Sequence, residues 1–128
     1  MMAPTLRKRE RMVSRKLIDT LFGGEGSRSV AAFPLRVVFV QRDATDYDAK
    51  VQMLVSVPKK RFKHAVDRNR VKRQVREAFR QHKELLYDAV APGKQLLMAF
   101  IWIADGHRPS AEVEKRVVTV MQRVAEKL

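Results

Sequence analysis

Residues 59–80 read KKRFKHAVDRNRVKRQVREAFR, and the fold of the whole chain can be worked outward from them. Val71, Val75, Ala78 and Phe79 recur at helical spacing, and Leu85, Leu86 and Ala89 extend the same side. This predicts a helix over about 66–90, closed by Pro92-Gly93. On the opposite side a helical wheel gathers Asn69, Lys72, Arg73, Arg76, Arg80 and Lys83. A basic face of this kind is ordinarily a solvated surface laced with acid–base pairs at i, i+4. Here Arg68, Lys72, Arg76 and Arg80 place four like charges at that spacing, each neighbouring pair mildly destabilising. The helix start also carries Arg68, Arg70, Lys72 and Arg73 where the macrodipole favours acids, with only Asp67 of the right sign. Local stability is given up twice at one place, as expected of a face that rests against an anion. Residues 68–80 hold five Arg and one Lys, and the planar guanidinium suits phosphate oxygens and base stacking better than an ammonium does.

The chain of 128 residues has 27 Lys+Arg against 14 Asp+Glu, a net charge of +13, with 45% apolar residues. These are the proportions of one folded domain over residues 1–128 rather than of a disordered chain. The charge is concentrated. Residues 7–16 carry six basic side chains against Glu10, residues 59–83 carry eleven against Asp67 and Glu77, and the remainder is close to neutral. Like charge packed into short segments raises self-repulsion unless a polyanion relieves it, so nucleic acid is the leading partner class. No apolar run approaches the length of a spanning helix and no signal-peptide pattern opens the chain. A cytoplasmic protein without a membrane partner is expected, and no obligate protein partner is evident. The absence of cysteine excludes disulfides, thiol catalysis and zinc fingers.

Around the basic helix the chain divides readily. Residues 1–13 read as a flexible basic arm. Leu17, Ile18, Leu21 and Phe22 give a short helix, with Ser14 as its cap and Gly23-Gly24 as its stop. Residues 25–29 read as a loop. Val30 to Val40 is rich in strand formers, with Pro34 suggesting an edge or an irregularity there, and 43–48 is a turn. Val51, Met53, Val55 and Val57 alternate as a strand expected to return beside the preceding one. Residues 95–103 are almost continuously apolar, the mark of a central strand buried on both faces. After a loop at 105–109, Ser110 can cap a last helix with Val113, Val117, Val120, Met121 and Val124 on its core side. This is one α+β layer structure.

No catalytic or metal-ligating set is expected on the protein. Asp43, Asp46 and Asp48 read as a solvated turn, His64 and His82 as RNA contacts or surface, and His107 as a loop residue. Trp102 and Phe100 belong to the core. The segment before the basic helix is a strand and a basic loop rather than the first helix of a helix-turn-helix, which favours RNA over a DNA major groove. Phe33, Phe39 and Tyr47 are strand or turn aromatics that could stack on unpaired bases, though such residues are more often core.

Lys59-Lys60, then Ala65-Val66, then Arg68-Asn69-Arg70-Val-Lys72-Arg73-Gln-Val-Arg76-Glu77, closely resemble the signature of the bacterial ribonuclease P protein component, and the order of elements matches over nearly the whole chain. The resemblance implies an α+β two-layer sandwich of order αβββαβα, like the second domain of a small-subunit ribosomal protein. Its four-stranded sheet would contain a left-handed βαβ crossover, against the general right-handed rule. It also implies that the protein is not the catalyst. A catalytic RNA, with Mg²⁺ bound mainly through that RNA and no organic cofactor, removes the 5′ leader of precursor tRNA. Lys59, Lys60, Arg61, Lys63, Arg68, Asn69, Arg70, Lys72, Arg73, Arg76 and Arg80 are then the RNA-binding residues. Ile18 and Phe22, with Phe33 and Phe39, are assigned to a cleft for the leader between the first helix and the sheet. Ile18 stands where the family often has Phe, and Lys63 where many members have Gly. The alternatives are a ribosomal RNA-binding or ribosome-assembly protein and, behind it, a DNA-binding regulator.

Overall fold

The alternation of Leu35, Val37 and Phe39 with Arg36, Val38 and Val40 gives one strand two unlike faces, and the sheet is organised by that difference. The computed structural model describes residues 10–11, 15–23, 26–44 and 49–128. Residues 1–9 and 12–13 of the arm, the Ser14 cap, Gly24, Asp46, Tyr47, Asp48 and the side chain of Leu17 lie outside the described residues. The elements are α1 (Arg15–Gly23), β1 (Arg28–Ala32), β2 (Leu35–Asp43), β3 (Val51–Ser56), α2 (Ala65–His82), α3 (Glu84–Tyr87), β4 (Lys94–Trp102) and α4 (Ser110–Lys127). They form a mixed α+β structure on a four-stranded sheet of order β1-β2-β4-β3, antiparallel except for the β3–β4 pair.

β3 therefore does not lie beside β2, as its alternation led us to expect. β4 takes the place between them, pairing Phe100 with Val37 on one side and Val55 on the other. The reason is the composition of β4: Gln95 to Phe100 are all buried, and a strand apolar on both faces is stable only inside the sheet. Pro34 marks a tight hairpin rather than an irregularity within one strand. The Phe33–Pro34 bond is cis, Ala32 faces Leu35, and the strand of 30–40 is split into β1 and β2.

α2 and α4 cover one face. Their buried stripes, Val71, Val75, Ala78 and Phe79 on α2 and Val113, Val117, Val120, Met121 and Val124 on α4, meet Phe39, Met98, Phe100 and Trp102. Each such side chain contributes about 1.5–3 kcal/mol by leaving water. Gln74 Nε2 donates to the Arg108 carbonyl (3.1 Å) and to Ser110 Oγ (3.0 Å), so the Ser110 hydroxyl serves the α2–α4 contact instead of capping α4. Among the described residues the other face carries α1 alone, anchored by Leu21 on Leu97 and Ala99. Because one short helix cannot cover a sheet, Ile18, Val38, Val40 and Leu54 are left only partly buried beside it.

The helix expected over 66–90 breaks at Lys83, whose carbonyl accepts from the Leu86 and Tyr87 amides. Leu86 stays in the core while Leu85 is exposed, contrary to a single continuous wheel. The described part of the arm packs on the fold. Glu10 is 1% exposed, and Arg11 forms a parallel bridge to Met53 of β3. Among the described residues no helix is long and apolar enough to cross a membrane.

Candidate nucleic-acid interface

The loop between β3 and α2 carries Lys59, Lys60 and Lys63 exposed to solvent, and it is held by the residues between and after them. Phe62 is buried and tilts against the His107 ring at 4.6 Å. Arg61 Nη1 donates to Asp105 Oδ1 (2.8 Å), and His107 Nε2 pairs with Asp67 Oδ1 (3.0 Å). Arg68 Nη1 donates to the carbonyls of Phe62 (2.8 Å) and Lys63 (3.1 Å). The loop at 105–109 thus braces the basic loop and the start of α2, and presents the lysines from a fixed frame.

Further along α2, Asn69, Arg73, Arg76, Glu77 and Arg80 line a shallow basin together with Arg11 from the N-terminal segment. Arg80 grips Glu77 through two bonds (3.0 and 2.5 Å), which holds the Glu77 carboxyl below its ordinary value and raises Arg80. Arg76 is shifted the other way: partial burial, and then the neighbouring Arg11, disfavour its charge. A basin with more guanidinium than carboxylate, one guanidinium partly desolvated, suits a phosphate group.

A second concavity opens on the far face of the sheet, beside α1. Leu21, Phe22, Ser27, Arg28, Ser29, Arg36, Val38 and Ile101 line it. Ser27 Oγ donates to the Leu21 carbonyl (2.7 Å) and ties the end of α1 to the start of β1. Phe22 is 49% exposed although apolar, and Arg36, opposite Ile101 in the β2–β4 register, is exposed on the same face as Val38. An apolar floor, an exposed ring and a cation suit a single strand, whose bases stack and whose phosphates need a counter-charge. Among the described residues no three His, Asp or Glu side chains converge as metal ligands.

A ribonuclease P protein component from Porphyromonas gingivalis is 43% identical over 123 residues, 94% of this chain and 86% of that one. The ribonuclease P protein of Thermotoga maritima superposes with a TM-score of 0.67 at 23% identity, over 89% of this chain and 96% of that one. That of Staphylococcus aureus superposes with a TM-score of 0.65 at 20% identity, over 90% and 94%. These two structural likenesses speak for the fold. The profile of the family described as ribonuclease P matches residues 6–124. The chain belongs to the ribonuclease P family.

The residues of the ribonuclease P signature do not share one environment. Asn69, Arg73, Arg76 and Arg80 meet in the basin, and Lys59, Lys60, Lys63 and Arg70 are exposed. Lys72 is half-buried. Arg61 and Arg68 are engaged inside the protein and act on its loop. Phe22 lines the cleft, whereas Ile18 does not and packs, partly buried, against the cluster of Leu21, Leu97 and Ala99. Phe39 is not in the cleft: it is 1% exposed, on the α4 side of β2, beneath the Arg28 guanidinium (5.4 Å). Phe33, 54% exposed, is at the β1–β2 turn under Arg108 (5.1 Å) and does not line the cleft. His82 pairs with Glu114 (2.9 Å) across α2 and α4, and His107 is a brace, where surface or loop roles were expected. Arg11 and Arg36 were missed. Arg36 had a signal, a lone cation within an apolar strand, but its face could not be assigned before the sheet order was known.

Proposed function

We propose that this ribonuclease P protein component serves tRNA 5′-end processing by holding two RNA segments, acting in the cytoplasm as one domain. The catalytic RNA lies against the α2 basin and the basic loop, and the single-stranded 5′ leader of precursor tRNA lies in the cleft beside α1. The observation that carries this reading is that two cationic concavities of unlike chemistry occupy opposite sides of one sheet, one rich in guanidinium and one floored by Val38 and Ile101 with Phe22 exposed. In this reading Mg²⁺ is bound mainly through the catalytic RNA. The part left to the chain is binding and orientation, in which a phosphodiester held in place on a ribozyme gains from proximity alone.

The test compares precursor and mature tRNA binding to the reconstituted complex. Phe22→Ala and Arg36→Ala should each reduce the preference for precursor by about fivefold to tenfold, the loss expected of one stacked base or one charged contact. An unchanged preference in both variants would sink the cleft assignment. Retention of ribosomal RNA over ribonuclease P RNA by the wild-type protein would favour a ribosome-assembly role instead.

A further inference from the structure

Glu10 is the lone acid among residues 7–16 and it is almost completely buried, at 1% exposure. Lys83 Nζ donates to both of its oxygens (2.9 and 3.1 Å), and the Tyr87 hydroxyl donates to the second. The break between α2 and α3 brings these donors together, since Lys83 is the junction and Tyr87 ends α3. A carboxylate so buried is stable only with partners of this kind, so the position of Glu10 is firmly set. The next residue follows from it. Arg11 bridges to Met53 on β3, one of the two edge strands of the sheet, and its side chain enters the basin beside Asn69, Arg73, Arg76 and Arg80.

We propose that Arg11 completes a phosphate site on the α2 face and that Glu10 is its positioning residue. The ligand class is the phosphodiester backbone of a structured RNA; this rests on the reading of α2 as the face for the catalytic RNA. Arg11 stands among like charges, so local attraction does not bring it there. The buried clamp one residue away does. Partial burial, and then the repulsion of the neighbouring Arg11, disfavour the charge of Arg76, and Glu77, the carboxylate in the basin lining, is already gripped by Arg80. A phosphate oxygen set between Arg11 and Arg76 relieves that repulsion. The N-terminal segment is thereby coupled to RNA binding through a fixed joint at residues 10 and 11.

The experiment measures binding of the full chain to ribonuclease P RNA across a salt series. Arg11→Ala should weaken binding about tenfold and lower the log–log salt slope by about one. Glu10→Gln should do the same, although it makes the protein more positive by one charge. In combination the two should cost little more than either alone. Non-specific attraction requires the opposite sign for Glu10→Gln, namely tighter binding and a steeper slope, and that result would overturn the proposal. So would Arg11→Ala binding like wild type. If Glu10→Gln fails to fold, as judged by circular dichroism, Tyr87→Phe removes one donor from the clamp and must weaken binding for the proposal to stand. Arg73→Ala separates the two levels. If it weakens binding while Arg11→Ala does not, the α2 reading survives and the Arg11 site fails; if neither does, the α2 reading fails with it.

Discussion

Arg68 and Arg73 belong to the same signature and face different tasks. Arg68 bonds two carbonyls of the basic loop, whereas Arg73 is exposed in the basin. Arg68→Ala should therefore lower stability by about 1 kcal/mol in urea unfolding, through loss of charge-assisted bonds. Arg73→Ala should leave the unfolding midpoint unmoved and lower the salt slope of RNA binding by about one. A shared phenotype would contradict the division. At this scale the sequence showed residue types well and orientations poorly. The exposed cations of α2 were legible because helical spacing assigns faces directly, whereas the exposure of Phe22 was not, since spacing groups it with Leu17, Ile18 and Leu21 on one apolar face. Phe39 was not, because alternation divides a strand into two faces without saying which will lie under helices. Glu10 was hidden for another reason: one acid in a run of cations looks like a neutralising surface residue until Lys83 and Tyr87, more than 70 positions away, are brought to it.

α2 is an element with two separable jobs, packing and display. Phe79→Ala removes a fully buried ring that meets Phe100 edge-on at 6.2 Å and should cost about 3–5 kcal/mol, measured by urea unfolding. α1 is different, since among its described side chains one, Leu21, is fully buried and anchors it to the far face of the sheet. Leu21→Ala should cost about 2–5 kcal/mol and blur the precursor preference, with the salt slope for ribonuclease P RNA unchanged. A drop in that slope would mean that the two surfaces are not independent. The elements themselves were largely legible, from the stripe of α4 to the apolar run of β4. Their neighbours were less so. The alternation of Val51, Met53 and Val55 describes a half-covered strand equally well at an edge beside β2 or beside β4, and only the demand of β4 for cover on both faces decides it. The break at Lys83 was missed because Leu85 and Leu86 fit a continued wheel about as well as a new turn.

Among the described residues the positive charge gathers in a basin, a braced basic loop and two arginines of the far cleft, on a sheet that holds them apart. In the function proposed above, this separation lets a single small chain hold two RNA segments without confusing them. Its central consequence is that the protein positions and the RNA reacts. The direct measurement is leader release from labelled precursor tRNA at low Mg²⁺, with this chain alone, ribonuclease P RNA alone, and the two together. The expected result is no cleavage by the chain alone, slow cleavage by the RNA alone, and a large acceleration on mixing. Cleavage by the RNA-free chain, or a mixture no faster than the RNA alone, would contradict it.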